Sequence, residues 1–380
     1  MTRLVARVRP TPFFTTGLVL FAAAAFYLIG YSDAFATVYQ KGMAIATTTA
    51  EAIMAPTWPA TLDKIAYNKK MLALTHYVPS VVASTTATST PIAQPFSTAS
   101  TSVSIPGRPW PVAAPYPQGG AILPFNRVIA YYGNFYSKQM GVLGEYSREQ
   151  VIAKLASTTA RWAAADPSTP TIPAIHYIAV VAQGTAGRSG LWRARMPDEE
   201  LDKALAMANE MHGLLFIDVQ VGLSTLESEL PAFEKYLAMP NVHLGIDPEF
   251  SMKHGERPGT VIGTFSAADV NYAAQYLAGL VKAHQLPPKM LVVHRFTQNM
   301  VTGYKQIRPL PEVQIVMDMD GWGSQAKKKN TYQRIEVAEP VQFTGLKLFY
   351  KADLKPPSTG MLTMSEVLLL TPAPIYIQYQ

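Results

Sequence analysis

The chain has 380 residues, 48% of them hydrophobic and 15% charged, with a formal net charge of +6. That length holds one barrel-sized domain of roughly 250 residues plus an appendage. No lysine or arginine stripe interleaved with aromatics occurs, which argues against nucleic-acid binding, and the lack of cysteine excludes disulfides, thiolate metal sites, a cysteine nucleophile and a lipidated cysteine.

Arg3, Arg7 and Arg9 precede an uncharged apolar run from Phe13 to Tyr31. About nineteen such residues suffice for one helical membrane span, and the basic residues orient the amino terminus to the cytoplasm. The expectation is a membrane anchor or signal segment at 1–36, with the barrel on the extracytoplasmic side. Ala34-Phe35-Ala36 is a small-x-small cleavage pattern that would instead release a secreted product. Residues 37–120 read as partly helical, then as low-complexity linker. Ile65, Ala66, Met71, Leu72 and Leu74 predict a short helix over Asp63–Thr75. From Val78 to Gly120 the chain turns to Ser, Thr, Ala and Pro, too little apolar surface to offset ordering, so a flexible tether is expected.

Residues 121–380 predict a (β/α)8 TIM barrel. Its strands are read at Val128–Tyr132, Pro173–Ala182, Leu214–Val219, Val242–Ile246, Met290–Val293, Val313–Met317, Gly345–Tyr350 and Pro374–Tyr379. Helical periodicity lies between them, as over Asp198–His212 and Ala267–His284, giving eight strand–helix alternations. The sequence shows no helix after the eighth strand before Gln380. The Asp63–Thr75 helix or the Ala121–Phe125 approach is expected to cover that strand's outer face. The basic run Lys327-Lys328-Lys329 reads as a solvated helix start.

Barrel enzymes carry their chemistry at the carboxyl ends of the strands. Residues two apart on a strand share a face, so Asp247 with Glu249, Asp318 with Asp320, and Asp218 with Gln220 are expected to face the mouth. His294 ends the fifth strand, and Lys347 and Lys351 are read as sharing a face of the seventh. Carboxylates crowded together raise some of their own pKa values, as a general acid near neutral pH requires. Glu249 is the candidate acid, Asp247 its partner, and Asp218, Asp318 and Asp320 complete the catalytic set. Tyr131, Tyr132, Asn134, Phe135, Tyr136, Trp322, Tyr350, Tyr376 and Gln378 are candidate substrate contacts with Gln220, His294, Lys347 and Lys351. His176, in mid-strand, is expected to pack inside the barrel.

The expected partner is a polysaccharide or other glycan, hydrolysed without a cofactor. A non-catalytic barrel binding glycan or a protein is the alternative. A third reading has Asp218, Asp247, Glu249, His294 and Asp318 holding a divalent metal for a metal-dependent hydrolase. No G-x-S-x-G elbow occurs, and Gly184-Thr185-Ala186-Gly187 is not a phosphate loop.

Arg127-Val-Ile-Ala-Tyr-Tyr-Gly-Asn134 resembles the first strand of family-18 glycoside hydrolases, the chitinase-like barrels, and Gly245-Ile246-Asp247-Pro248-Glu249 resembles the end of their D-x-x-D-x-D-x-E motif. The resemblance implies a general acid at Glu249 and an Asp247 that orients a substrate N-acetyl group. The two earlier aspartates of that motif fall on Val242 and Gly245. Met317-Asp318-Met319-Asp320 echoes the family's M-x-Y-D with Met319 in the tyrosine's place. Tyr376 and Tyr379 stand near where the family has a strand-eight tryptophan.

Overall fold

The structure, a computed structural model, describes residues 61–77 and 100–380. The expected anchor at 1–36 lies outside the described residues. Among the described residues no helix is long and apolar enough to cross a membrane.

Eight parallel strands close on themselves: β1 Arg127–Gly133, β2 Thr171–Ala182, β3 Leu214–Val219, β4 Val242–Ile246, β5 Lys289–Arg295, β6 Val313–Met319, β7 Phe343–Leu348 and β8 Tyr376–Tyr379. Neighbours pair in chain order, and β1 pairs with both β2 and β8, which completes a TIM-type barrel. β7 begins and ends two residues earlier than expected, so Tyr350 lies beyond it.

The helical layer is less regular than eight alternations. The helix α1, Lys64–Leu74, precedes the barrel. The crossovers after β1, β2, β4 and β6 carry α2 Arg148–Ala165, α3 Asp198–Glu210, α4 Ala267–His284 and α5 Gln325–Tyr332. After β3 the helical segment is broken into three short turns around Pro231. Between β5 and β6 only two 3-10 turns form, because Gly303 (φ +71°), Pro309 and Pro311 interrupt any helix there.

Strand alternation divides the core in two. Ile129, Ile175, Ile217, Leu244, Val293, Met317, Leu346 and Ile377 face outward under the helices. The inward set starts apolar at the bottom, with Val128, Ala130, Ala174, Phe216, Met290, Val292, Val316 and Phe343. Towards the carboxyl ends it turns polar, through Tyr132, His176, Asp218, Asp247, His294, Asp318, Lys347 and Gln378, all buried. Hydrophobic burial thus closes the lower barrel and leaves the polar side chains to its upper layer.

The barrel's floor corrects two expectations. The α1 helix is capped by Asp63, whose Oδ1 accepts from the Ile65 and Ala66 amides. It covers the amino-terminal end of the barrel, not the outside of β8. Tyr67 and Met71 are buried there with Tyr116 and Leu123, and Gln314 of β6 pins the approach segment by accepting from the Ile122 and Leu123 amides at 3.0 and 3.1 Å. The outside of β8 is covered instead by α2, where Trp162 Nε1 donates to Tyr379 Oη at 2.9 Å. The expected tether is also ordered from residue 100 onward. Trp110 and Tyr116 are buried, Trp110 Nε1 donates to the Glu336 carbonyl at 3.3 Å, and Asn68 accepts from the Val103 amide at 3.0 Å. A few widely spaced aromatics supply the apolar surface that the average composition of the segment conceals.

The floor yields a stability prediction. Tyr67 is fully buried, and its hydroxyl has no hydrogen-bond partner. Tyr67→Ala is expected to cost about 3–5 kcal/mol, the range for losing a large buried ring. Tyr67→Phe is expected to lie within about 1 kcal/mol of the parent, since it removes an unsatisfied polar group. Urea unfolding of the two variants checks this, and equal losses would contradict it.

Candidate active site

The mouth of the barrel is a cavity of about 650 Å³ walled by Tyr132, Gln220, Asp247, Glu249, Asp320 and Lys347 among others. Asp247 and Glu249 reach it as expected, by a different local route. β4 ends at Ile246, and Pro248–Phe250 forms a 3-10 turn capped by Asp247, whose Oδ1 accepts from the Glu249 amide at 3.0 Å. Gln220 Nε2 donates to Asp247 Oδ2 at 3.1 Å, while Gln220 Oε1 is held by the Ala182 amide. Lys347 sets its ammonium 3.6 Å from the centre of the Tyr132 ring, a cation–π contact on the cavity wall.

Beneath this wall lies a second, sealed layer. Tyr132 Oη donates to Asp218 Oδ2 at 2.9 Å. Asp218 Oδ1 lies 3.2 Å from His176 Nε2 and 3.3 Å from His294 Nε2. His294 Nδ1 lies 3.4 Å from Asp318 Oδ2 and 3.5 Å from Asp320 Oδ2. His176 packs inside the barrel as expected, stacked on Phe216, with Nδ1 2.6 Å from Tyr376 Oη. Two strand glycines make this layer possible. A Cβ on Gly245 would sit 2.4 Å from His176 Nε2, and one on Gly345 would sit 2.5 Å from Asp318 Oδ1.

The two layers differ electrostatically. Burial, reinforced by the Asp320 charge, pushes the Glu249 carboxyl up to about 7, with Lys347 and His294 pulling the other way. Burial lifts Asp247 well above the ordinary range, helped by Glu249, Asp320 and Asp218 against the pull of His294. Burial also raises Asp318. Asp218 behaves oppositely: burial opposes its charge, but His294 and the contacts from both imidazoles outweigh that and hold it below the carboxylate range. Asp247 and Glu249 are packed closely enough to share protons, so the two titrate as a pair.

Several expected contacts fall elsewhere. Asp218, Asp318, His294, Tyr376 and Gln378 lie in the sealed layer and do not line the mouth. Tyr131 and Tyr350 pack outside the barrel, bonded to each other at 3.1 Å, because odd positions of β1 face the helices. Asn134 is buried as a loop brace, donating to the Ile178 carbonyl at 2.9 Å. Phe135 packs on Tyr177, and Tyr136 is exposed away from the cavity. Lys351 does not share a face with Lys347: it follows the end of β7 and pairs with Glu145 on the surface at 2.7 Å.

The basic run divides three ways, because successive helical residues point about 100° apart. Lys327 lies over the Trp322 ring at the cavity rim, Lys329 pairs with Glu366 at 2.9 Å, and Lys328 is buried. Of the expected metal ligands, Asp218 and His294 come together and His176 joins them, while Asp247 and Glu249 face the cavity. Gln380, Phe296 and Arg334 line the mouth without having been singled out. Gln380 was accessible to the alternation rule, two residues beyond the inward Gln378. Arg334 follows α5 in a π-turn, which carries no such signal.

No family model matches the chain, and no curated protein matches it either.

Proposed function

We propose that the barrel is a glycosidase-type hydrolase with Glu249 as general acid. The observation that carries this reading is a half-buried carboxyl lining a wide cavity beside two further carboxyls, where burial and the Asp320 charge push it up to about 7. Such a group is protonated often enough near neutrality to donate, and acidic enough to do so efficiently. Glu249 gives its proton to the glycosidic oxygen as the bond to the anomeric carbon breaks. The anionic member of the carboxyl set offsets the positive charge on the sugar, and water completes hydrolysis, returning a proton to the set. Trp322, half exposed at the rim, with Phe296 and Phe349, offers apolar faces for sugar rings. The resemblance of Asp247-Pro248-Glu249 to the chitinase-like motif supports the same roles. The basic residues and apolar run at 3–31 support an envelope-anchored or secreted location facing such substrates.

A second reading, glycan binding without turnover, is favoured by one observation. Met319, in the place of the family's tyrosine, is buried in the outer core, so β6 offers no phenol to the mouth. A screen of the full chain against peptidoglycan, chitin oligomers and common polysaccharides separates the two. Cleavage supports the hydrolase; saturable binding with no product supports the binding protein and overturns the hydrolase.

The acid role fixes a pH dependence. Glu249 must be protonated, so kcat/KM is expected to fall as pH rises through about 7, with an apparent value belonging to the coupled carboxyls. The same raised value means that the folded chain holds this proton where the unfolded chain has released it. Its contribution to stability is therefore present at low pH and lost between the unfolded value of about 4.5 and about 7. A rate profile flat from pH 5 to 9, about two units either side of the expected turning point, would contradict the assignment.

A further inference from the structure

We infer that the sealed layer under the mouth is a divalent transition-metal site built from His176, Asp218 and His294. This goes beyond the hydrolase reading and does not depend on it. One atom from each residue, the two Nε2 atoms and Asp218 Oδ1, converges within 4.8 Å of the others, and all three side chains are fully buried. The separations of 3.2 and 3.3 Å from Asp218 Oδ1 to the two nitrogens invite a hydrogen-bond interpretation. Direction argues against it: His176 Nε2, His294 Nε2 and Asp218 Oδ1 have no aligned hydrogen-bond partner. A buried polar atom without a partner costs roughly 1–3 kcal/mol, and three converge here. Ligands at about 2.0–2.2 Å from a tetrahedral ion stand about 3.3–3.5 Å apart, close to these spacings.

The far side of two of the three ligands, His176 and Asp218, is also braced, as metal ligands usually are. His176 Nδ1 meets Tyr376 Oη at 2.6 Å, and that oxygen accepts from Gln378 Nε2 at 2.9 Å. His294 Nδ1 lies 3.4 and 3.5 Å from carboxylate oxygens of Asp318 and Asp320, near enough for charge but without an aligned hydrogen bond. Asp218 Oδ2 accepts from Tyr132. The Tyr376 contact leaves His176 Nε2 turned to the common point, while His294, which despite burial its carboxylate neighbours hold well above the ordinary imidazole range, gives up its Nε2 proton as the ion binds. Gly245 supplies the room, since a Cβ there would sit 2.4 Å from His176 Nε2 and 2.5 Å from Asp218 Oδ1. Two imidazoles with one carboxylate suit zinc or a neighbouring divalent transition metal better than calcium or magnesium, which take oxygen ligands. Tyr132 separates the site from the cavity, so the ion would stiffen the floor of the mouth while Glu249 faces the substrate.

Metal analysis of the purified full chain, followed by titration of Zn2+ into chelator-stripped protein, tests the site. About one equivalent per chain is expected, with a rise in melting temperature on addition. Tyr376→Phe is expected to weaken uptake by about 10- to 100-fold through the loss of its support of His176 Nδ1. Gly245→Ala and Asp218→Asn are expected to abolish stoichiometric uptake, whereas Asp247→Asn and Glu249→Gln retain it, which separates this site from the hydrolytic one. If Gly245→Ala fails to fold, the ligand-field spectrum of the Co2+-loaded parent, with two nitrogen ligands, takes its place. Folded, stripped parent protein that takes up no Zn2+, Co2+, Mn2+ or Fe2+ and shows no change in melting would overturn the inference. So would uptake unchanged in Asp218→Asn.

Discussion

Glu249→Gln is expected to lower kcat/KM for a hydrolysed glycan by about 10²- to 10⁴-fold, the usual contribution of a positioned general acid, with the fold unchanged. Glutamine preserves shape and the capping contact from Asp247 Oδ1 to the residue-249 amide, because that contact uses the backbone. What it removes is the proton that can be given to the leaving oxygen. The loss should therefore fall mainly on kcat, and it should shrink for substrates whose leaving group is already acidic and needs no proton. Asp247→Asn provides the contrast: its single oxygen can keep the cap on the residue-249 amide but not also accept from Gln220 Nε2, and it removes one member of the coupled carboxyls, so the descending pH limb should move. Full activity of Glu249→Gln on an unactivated glycan would dispose of the assignment.

The second large effect concerns stability. Lys328→Met is expected to destabilise the fold by about 3–5 kcal/mol, although the neighbouring Lys329→Met should cost about 1 kcal/mol or less. Lys328 is 1% exposed; its ammonium donates to the Gly321 carbonyl at 2.8 Å and the Lys347 carbonyl at 2.6 Å and pairs with Asp353 at 3.1 Å. Asp353 is fully buried and also accepts from the Gly323 and Phe349 amides, so it ties the loop after β6 to the loop after β7. Removing the ammonium leaves that carboxylate buried beside neutral donors alone. Asp353→Asn in the Lys328→Met background should recover part of the loss, a coupling measurable by guanidinium unfolding of the four-variant cycle. Equal effects at the two lysines would mean that Lys328 is solvated, as the sequence suggested.

That pair of lysines illustrates what a sequence pattern conveys. Lys327-Lys328-Lys329 is three identical residues, and only the seating of α5 against β7 sends one to the cavity rim, one into the core and one to the surface. The same limit applies to the acidic set. Asp218, Asp247, Glu249, Asp318 and Asp320 were legible because each follows an apolar strand, where side chains near the carboxyl end must face the mouth or lie just below it. The alternation rule assigned their face correctly but not their depth. Asp218 and Asp318 sit one layer lower than Asp247 and Asp320, and that difference separates a sealed polar layer from an open one. His176 was read as an interior histidine, yet its convergence with Asp218 and His294 depends on the register between β2, β3 and β5, which no single strand encodes.

Errors cluster where local composition is a poor guide. The segment from residue 100 to 120 looks like a tether because Ser, Thr and Pro dominate the stretch leading into it, yet Trp110 and Tyr116 fasten it beneath the barrel. Tyr131 and Tyr350 look like sugar platforms because they are aromatic and near strand ends, but they belong to the outer face. Lys351 lies only four residues from Lys347 and pairs with Glu145 instead of entering the mouth.

The sequence by itself determined the barrel and its polarity along the axis. Period-two apolar strands separated by crossovers have few ways to bury both faces, and the closed parallel barrel satisfies all eight at once. It also determined that Asp247 would stand at the mouth, since that residue continues the inward-facing positions of β4, whereas Glu249 arrives there through the 3-10 turn that Asp247 caps. Tertiary structure alone decided which polar groups meet. Closure brings side chains from β2, β3, β5 and β6 within a few ångströms across gaps of tens of residues. Burial then sets their protonation, and glycines at 245 and 345 leave the space that such an encounter requires.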